Sequence, residues 1–209
     1  MFNVIKSASP PTPFLFSDEN VVQLVKDDFF EKCYLCEENV PRHLEVEHFY
    51  PQAHFPLKIN DWDNLISICQ KCNKIRPKNV NTLGEEVYNP CSDDVDSFIK
   101  LKLNADLTID ISYTDATTPK NINTVTLLDR IHNGIGTASL SYKDLRKLIA
   151  KELANFNLAI ENYYQVSIKD GYKEVLSDFL SKKSQFTAFK RWIIRDDVKL
   201  NAEFNALFD

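Results

Sequence analysis

The chain has no run of eighteen or so uncharged apolar residues, so no stretch is long enough to cross a bilayer as a helix. Its opening stretch, Met1 to Phe16, is interrupted by Pro10, Pro11 and Pro13, which excludes a signal-peptide core. The expected location is cytoplasmic, with no membrane partner. Surplus positive charge is also missing: 25 Lys and Arg against 30 Asp and Glu leave a formal charge of -5. That balance excludes a protein that coats nucleic acid by bulk attraction, so any such contact must be local. Internal repeats and low-complexity segments are absent. What remains is a 209-residue chain, 44% hydrophobic, long enough to bury a core as one domain or as one domain with a small module.

Two local concentrations of basic residues stand out against the acidic background. Lys71, Lys74, Arg76 and Lys78 fall within eight positions of one another, and are either a nucleic-acid contact or a solvated face. Lys182, Lys183, Lys190, Arg191 and Arg195 read as a solvated cationic face.

Residues 1–17 form an irregular lead-in, and Ser17 or Asp18 can cap a helix over Glu19 to Lys32 with Val22, Leu24, Val25, Phe29 and Phe30 as its apolar stripe. A strand is expected at Leu44 to His48 and another run at Leu65 to Cys69, leading into a turn or helix. Phe98 to Leu103 and Leu107 to Tyr113 alternate with period two around Asn104-Ala105-Asp106, which predicts a β-hairpin. After Pro119, helical spacing recurs in Asn123 to His132, Ser141 to Tyr164, Tyr172 to Ser181 and Phe186 to Ile194. Leu145, Leu148, Ile149, Leu153, Phe156 and Ile160 share one side of the longest helix and read as core. The expected division is a lead-in and helix (1–32), a compact core (33–90), a hairpin (91–118) and a helical region suited to docking a partner (119–209).

Four of five cysteines form two pairs, in the layout Cys33-x2-Cys36-x32-Cys69-x2-Cys72. Four thiolates from two tight turns make the tetrahedral sulfur shell of a structural zinc, which would supply folding free energy to a segment with little core of its own. Two disulfides, a redox pair and a rubredoxin-like iron are the alternatives; a reducing compartment disfavours the first, and a redox pair needs no second partner. Cys91 is left as an inert thiol.

A closed four-cysteine site does no catalysis, so chemistry must come from the residues it encloses. Glu47 and His48 are adjacent at the expected end of a strand, where alternation separates their side chains unless the strand stops or bends there. Asn73 directly follows the last cysteine and should open a helix facing the same space. Phosphodiester hydrolysis needs a base for water and a cation for the developing charge. His48 suits the base because imidazole titrates near neutrality, and Glu47 with Asn73 offers hard oxygen donors suited to Mg2+ or Mn2+.

The segments Cys33-Tyr-Leu-Cys36, Val46-Glu-His-Phe-Tyr-Pro51, Asp61-Trp-Asp-Asn-Leu65 and Cys69-Gln-Lys-Cys-Asn-Lys74 together resemble the HNH endonuclease family, whose site is a ββα-metal fold. The resemblance implies an α+β protein: a zinc-braced ββα-metal core within a mostly helical surround, with an extra β-hairpin. On it His48 is the general base, Asn64 holds the connecting loop and orients that base, and Asn73 binds the catalytic divalent ion. Glu47 stands where the family usually carries aspartate or another ligand. Lys74 and Arg76, beside the expected ligand, are candidates for phosphate contact. His43, His54 and His132 are taken as surface or packing residues, with His54 an outside candidate for phosphate, and Trp62 as packing.

Tyr88-Asn-Pro90, the acidic stretch after it, the hairpin and the late Phe186 to Trp192 helix extend the similarity to HNH endonucleases found with retrons and to the nuclease subunit of the Septu anti-phage system. This implies an ABC/SMC-like ATPase partner in a hetero-oligomer and a defence role, with DNA as the expected substrate and RNA as the alternative. The competing reading is a non-catalytic zinc-ribbon module that binds nucleic acid or protein without cutting it.

Overall fold

Asp18 starts the first helix, α1 (Glu19–Asp28), by accepting the Asn20 N–H at 2.9 Å in the computed structural model, which describes residues 1–10, 13–114, 116–167 and 169–209. Pro11 of the lead-in and Asp115 of the hairpin segment lie outside the described residues. The helix stops before the expected Lys32, because Phe30 and Glu31 both take φ 54°, and this left-handed pair turns the chain into Cys33.

Strands β1 (Leu44–His48) and β2 (Leu65–Cys69) then pair antiparallel, with Leu44 opposite Cys69 and His48 opposite Leu65. Helix α2 (Gln70–Ile75) follows β2 without a break, so the expected ribbon and helix are both present. It opens at Gln70 rather than at Asn73, because Cys69 is its N-cap: its sulfur accepts the Cys72 N–H at 3.4 Å. Asn73 is thereby carried in the body of the helix.

A helical turn, α3 (Val95–Phe98), precedes the hairpin of β3 (Ile99–Leu103) and β4 (Ile109–Tyr113), in which Ile99 faces Tyr113 and Leu103 faces Ile109. Helix α4 (Pro119–His132) starts before the expected Asn123 because Thr118 accepts the Asn121 N–H and Pro119, at the first helical position, has no N–H to satisfy. Helices α5 (Ser141–Gln165), α6 (Asp170–Leu180) and α7 (Thr187–Asp196) lie close to their predicted bounds. A further helix, α8 (Val198–Phe204), was not expected; Asp197 caps it by accepting the Lys199 and Leu200 N–H groups at 2.8 and 3.0 Å.

One buried cluster runs from Phe2 and Val25 through Cys33, Ile66 and Ile99 to Leu128, Leu153 and Phe189. A second, built on Phe156, Tyr163, Leu176, Leu180, Ile194 and Phe204, joins the C-terminal helices. On α5 the predicted stripe is buried at Leu145, Ile149, Leu153 and Phe156, whereas Leu148 is 41% exposed. Among the described residues no helix is long and apolar enough to cross a membrane.

The C-terminal basic group corrects the sequence reading. Lys190 and Arg191 are 0% and 2% exposed rather than solvated. Helix α7 packs on β3 with these residues inward, and each is paired, as buried charge must be. Lys190 meets Glu152 at 2.9 Å, while Arg191 and Arg195 converge on Asp96 at 3.2 and 2.6 Å. Helix α7 and the turn before it also grip the first cysteine turn: the Ala188 N–H donates to Glu37 at 3.1 Å, and the Lys32 ammonium donates to the Ser184 carbonyl at 2.8 Å.

Two outcomes follow from this packing. Asp96→Ala leaves two guanidinium groups facing a buried gap and should lower unfolding free energy by about 3–5 kcal/mol in urea denaturation. His132, fully buried against Phe189, has its pKa pushed down to about 4 by burial, with Arg146 acting in the same direction and Glu37 opposing. The unfolded chain therefore takes up a proton near pH 6.5 that the folded chain refuses. His132 contributes fully to stability above pH 6.5 and loses about 3 kcal/mol as pH falls toward 4, a slope that His132→Phe should remove from a denaturation series.

Candidate active site

The four predicted zinc ligands meet. The Sγ atoms of Cys33, Cys36, Cys69 and Cys72 all lie within 4.8 Å of one another and are buried, with Cys36 and Cys69 3.9 Å apart. A tetrahedral zinc with bonds of about 2.3 Å requires sulfurs about 3.8 Å apart, so the donor set and spacing fit that metal. Hydrogen bonds from Cys33, Cys36 and Cys72 pull the Cys69 thiol well below its ordinary range, and the shared bonds push Cys36 and Cys72 up. The first pair comes from the turn after α1, the second from the β2–α2 junction.

Strand β1 ends at His48. The His48 ring, 3% exposed, is turned into the loop that joins β1 to β2. Its Nε2 is 2.8 Å from the Ile59 carbonyl oxygen and its Nδ1 is 2.8 Å from the Gln52 amide nitrogen. A carbonyl only accepts, so Nε2 carries the proton and Nδ1 presents the lone pair, which here takes a hydrogen bond from Gln52. Phe16 closes the ring from the side, edge-on at 4.7 Å.

Asn64 is buried against the connecting loop. Its Nδ2 donates to the Tyr50 and Lys58 carbonyls at 3.2 and 2.9 Å, and its Oδ1 accepts the Tyr50 N–H at 2.7 Å. These bonds tie the start of the connecting loop to its far side. Lys58 immediately precedes Ile59, so the same bonds place the carbonyl that orients His48. The buried Asn81 adds a second tie by donating to the Phe49 carbonyl at 2.8 Å.

Glu47 and Asn73 are brought together: the Asn73 Nδ2 donates to Glu47 at 3.0 Å. The same nitrogen donates at 3.0 Å to Glu45, two positions upstream on the same strand face. An open groove of about 450 Å3 runs past this cluster, lined among others by Glu45, Asn73, Lys74, Arg76 and Lys78. Lys74 is exposed there, as a phosphate contact requires. Arg76 is half-buried and spends part of its guanidinium on the His48 carbonyl, at 3.4 Å, which pins the end of β1. Trp62 packs as expected, buried beneath the Lys6 ammonium 3.9 Å from its ring, and His54 is exposed.

Sequence reasoning missed Glu45, Gln52 and the Ile59 carbonyl. Period-two spacing from Glu47 and helical spacing from His48 were the available signals for the first two; a backbone carbonyl leaves none.

A two-stranded ribbon ending in an oriented histidine runs directly into a helix that carries an oxygen donor, and residues 33–78, which hold this arrangement, match the HNH endonuclease family. The chain is also similar to the Septu protein PtuB of Bacillus mycoides (strain KBAB4), at 30% identity over 42% of this chain and 40% of that protein. It is likewise similar to the Septu protein PtuB of Bacillus thuringiensis, at 32% identity over 34% of this chain and 28% of that protein. The chain thus spans less than half the length of these curated relatives.

Cys69 is both a member of the thiol cluster and the cap of α2. Cys69→Ser should therefore abolish stoichiometric zinc in elemental analysis and the cooperative thermal transition together, whereas Cys91→Ser should leave both in place.

Proposed function

We propose that this chain is a metal-dependent endonuclease that hydrolyses phosphodiester bonds of nucleic acid, DNA first, with its four cysteines holding a structural zinc. The observation that carries this reading is the His48 tautomer: the Ile59 carbonyl holds the proton on Nε2 and leaves the Nδ1 lone pair as a base. Gln52 now covers that lone pair and must yield to the attacking water. Glu47 and Asn73 would hold a divalent cation, Mg2+ or Mn2+, which when bound neutralises charge developing on the phosphate and on the departing 3' oxygen. His48 Nδ1 takes the proton of the water, while the Nε2–H bond to Ile59 stabilises the imidazolium that results. Asn64 keeps the loop, and with it the Ile59 carbonyl, in place. Lys74 and the free part of Arg76 meet the flanking phosphates along the groove.

The similarity to Septu proteins supports a role in anti-phage defence, as the nuclease subunit beside an ABC/SMC-like ATPase. Its docking surface is assigned to the C-terminal helices, where Leu148, Leu158 and Val175 are 41%, 55% and 44% exposed. The charge of -5 is consistent with a nuclease that relies on a partner to bring substrate to a local basic groove.

The test is cleavage of plasmid, single-stranded DNA and RNA by the purified chain, with and without the ATPase, in Mg2+, Mn2+ or EDTA. Cleavage should require the divalent ion and fall about 10²–10⁴-fold in His48→Ala, with zinc content and melting temperature unchanged. Undiminished cleavage by His48→Ala would sink the assignment. Metal-independent binding without any product, even with the ATPase present, would establish a non-catalytic zinc-ribbon module instead.

A further inference from the structure

Asn73 faces an ambiguity that neither carboxylate shares. Its side chain has a donor end and an acceptor end of nearly the same shape, and only the oxygen can bind a cation. What faces its nitrogen therefore decides whether the residue can serve as a ligand. In this structure two carboxylates do so, Glu45 and Glu47, each 3.0 Å from Nδ2. Ionised carboxylates accept only, so the nitrogen is the atom that must point at them.

The two bonds have different futures once a cation is present. Glu47 belongs to the cation under the proposed function, and a carboxylate engaged by a cation is a weakened partner for an N–H group. Glu45 stays with Asn73. It lies on the same face of β1 as Glu47, opposite Ile68 where Glu47 is opposite Ile66, and it borders the groove on the side of Gln70 and Asn73.

We infer that Glu45 is a positioning residue that holds the Nδ2 end of Asn73 and so presents Oδ1 to the cation. The inference rests on the proposed cation site, and it adds a member that the two-residue ligand set lacks. A hydrogen bond to the outer end of a metal ligand fixes that ligand's orientation, and loss of such a bond typically weakens metal binding 10–100-fold. Asparagine needs such a partner. Aspartate, with oxygen at both ends, does not.

That difference supplies the experiment. Mn2+ affinity is measured by electron paramagnetic resonance of the free ion for the intact chain, for Glu45→Gln, for Asn73→Asp and for the double variant, with zinc content and thermal melting as controls. Glutamine keeps the shape of Glu45 but offers either an oxygen or a nitrogen, so it no longer dictates which way Asn73 faces. Glu45→Gln alone should weaken Mn2+ binding 10–100-fold. In the Asn73→Asp background the same change should cost no more than about threefold, the share owed to lost charge at a solvated site. Glu45 is half-buried at the groove, and the melting control is expected to stay within about a degree of the intact chain.

Equal losses in both backgrounds would overturn the inference by making Glu45 a direct ligand. No loss in either would overturn it by leaving Glu45 without a part. Glu47→Ala is the separate check on the cation site: unchanged Mn2+ affinity in that variant would overturn the site and the inference together.

Discussion

Two turns far apart in the chain must bring four sulfurs to one point, and residues 33–78 are arranged around that demand. The sulfurs of Cys33, Cys36, Cys69 and Cys72 lie within 4.8 Å of one another. Cys69 ends β2, caps α2 and belongs to the cluster at once. The position of the cluster thus sets where the strand stops, where the helix starts and which helical residue stands over β1. With α2 opening at Gln70, Asn73 lies beside Glu45 and Glu47. A ribbon of two short strands has too little apolar area to hold such a geometry alone. Four thiolates on a metal would supply the missing free energy locally.

The site also shows how partners with a single hydrogen-bonding role settle groups that have two. Imidazole has two tautomers and a carboxamide two orientations. A backbone carbonyl and a carboxylate have only one role each, that of acceptor. Ile59 selects the His48 tautomer, and the carboxylates select the Asn73 orientation. Asn64 extends the logic by one step, since its bonds to Tyr50 and Lys58 position the loop that carries Ile59. The setting of the His48 ring therefore depends on residues one contact removed from it.

Charge that looks superficial in the sequence turns out to be internal. Lys190 and Arg191 are buried because α7 is wedged between β3 and the first cysteine turn, with Glu152 and Asp96 compensating their charge. Glu37, inside that turn, accepts from the α7 backbone and has its carboxyl held down at about 2 despite burial, by the Met1 ammonium and Lys32. The helical surround is joined to residues 33–78 through ionic contacts of this kind as well as through the shared apolar core.

The four-thiol cluster, the ribbon and the hairpin were legible along the chain, as was the choice of His48, Asn64 and Asn73 as candidates. The first three rest on spacing, cysteines three apart and strands alternating by two, whereas the three candidates rest on the family resemblance. Helix ends were misread where a side chain overrode the trend, as with Cys69 capping α2, Thr118 capping α4 and Asp197 starting α8. Spacing also could not show that Lys190 and Arg191 are buried, because burial depends on which helix face meets the core, and a basic stripe carries no such label. Sequence alone determined which residues could be ligands and base. Only the tertiary structure decided which nitrogen of His48 carries the proton, which end of Asn73 faces Glu45, and that Gln52 covers the base. Those choices are made by partners distant in the chain or by backbone atoms, and only folding brings them into reach.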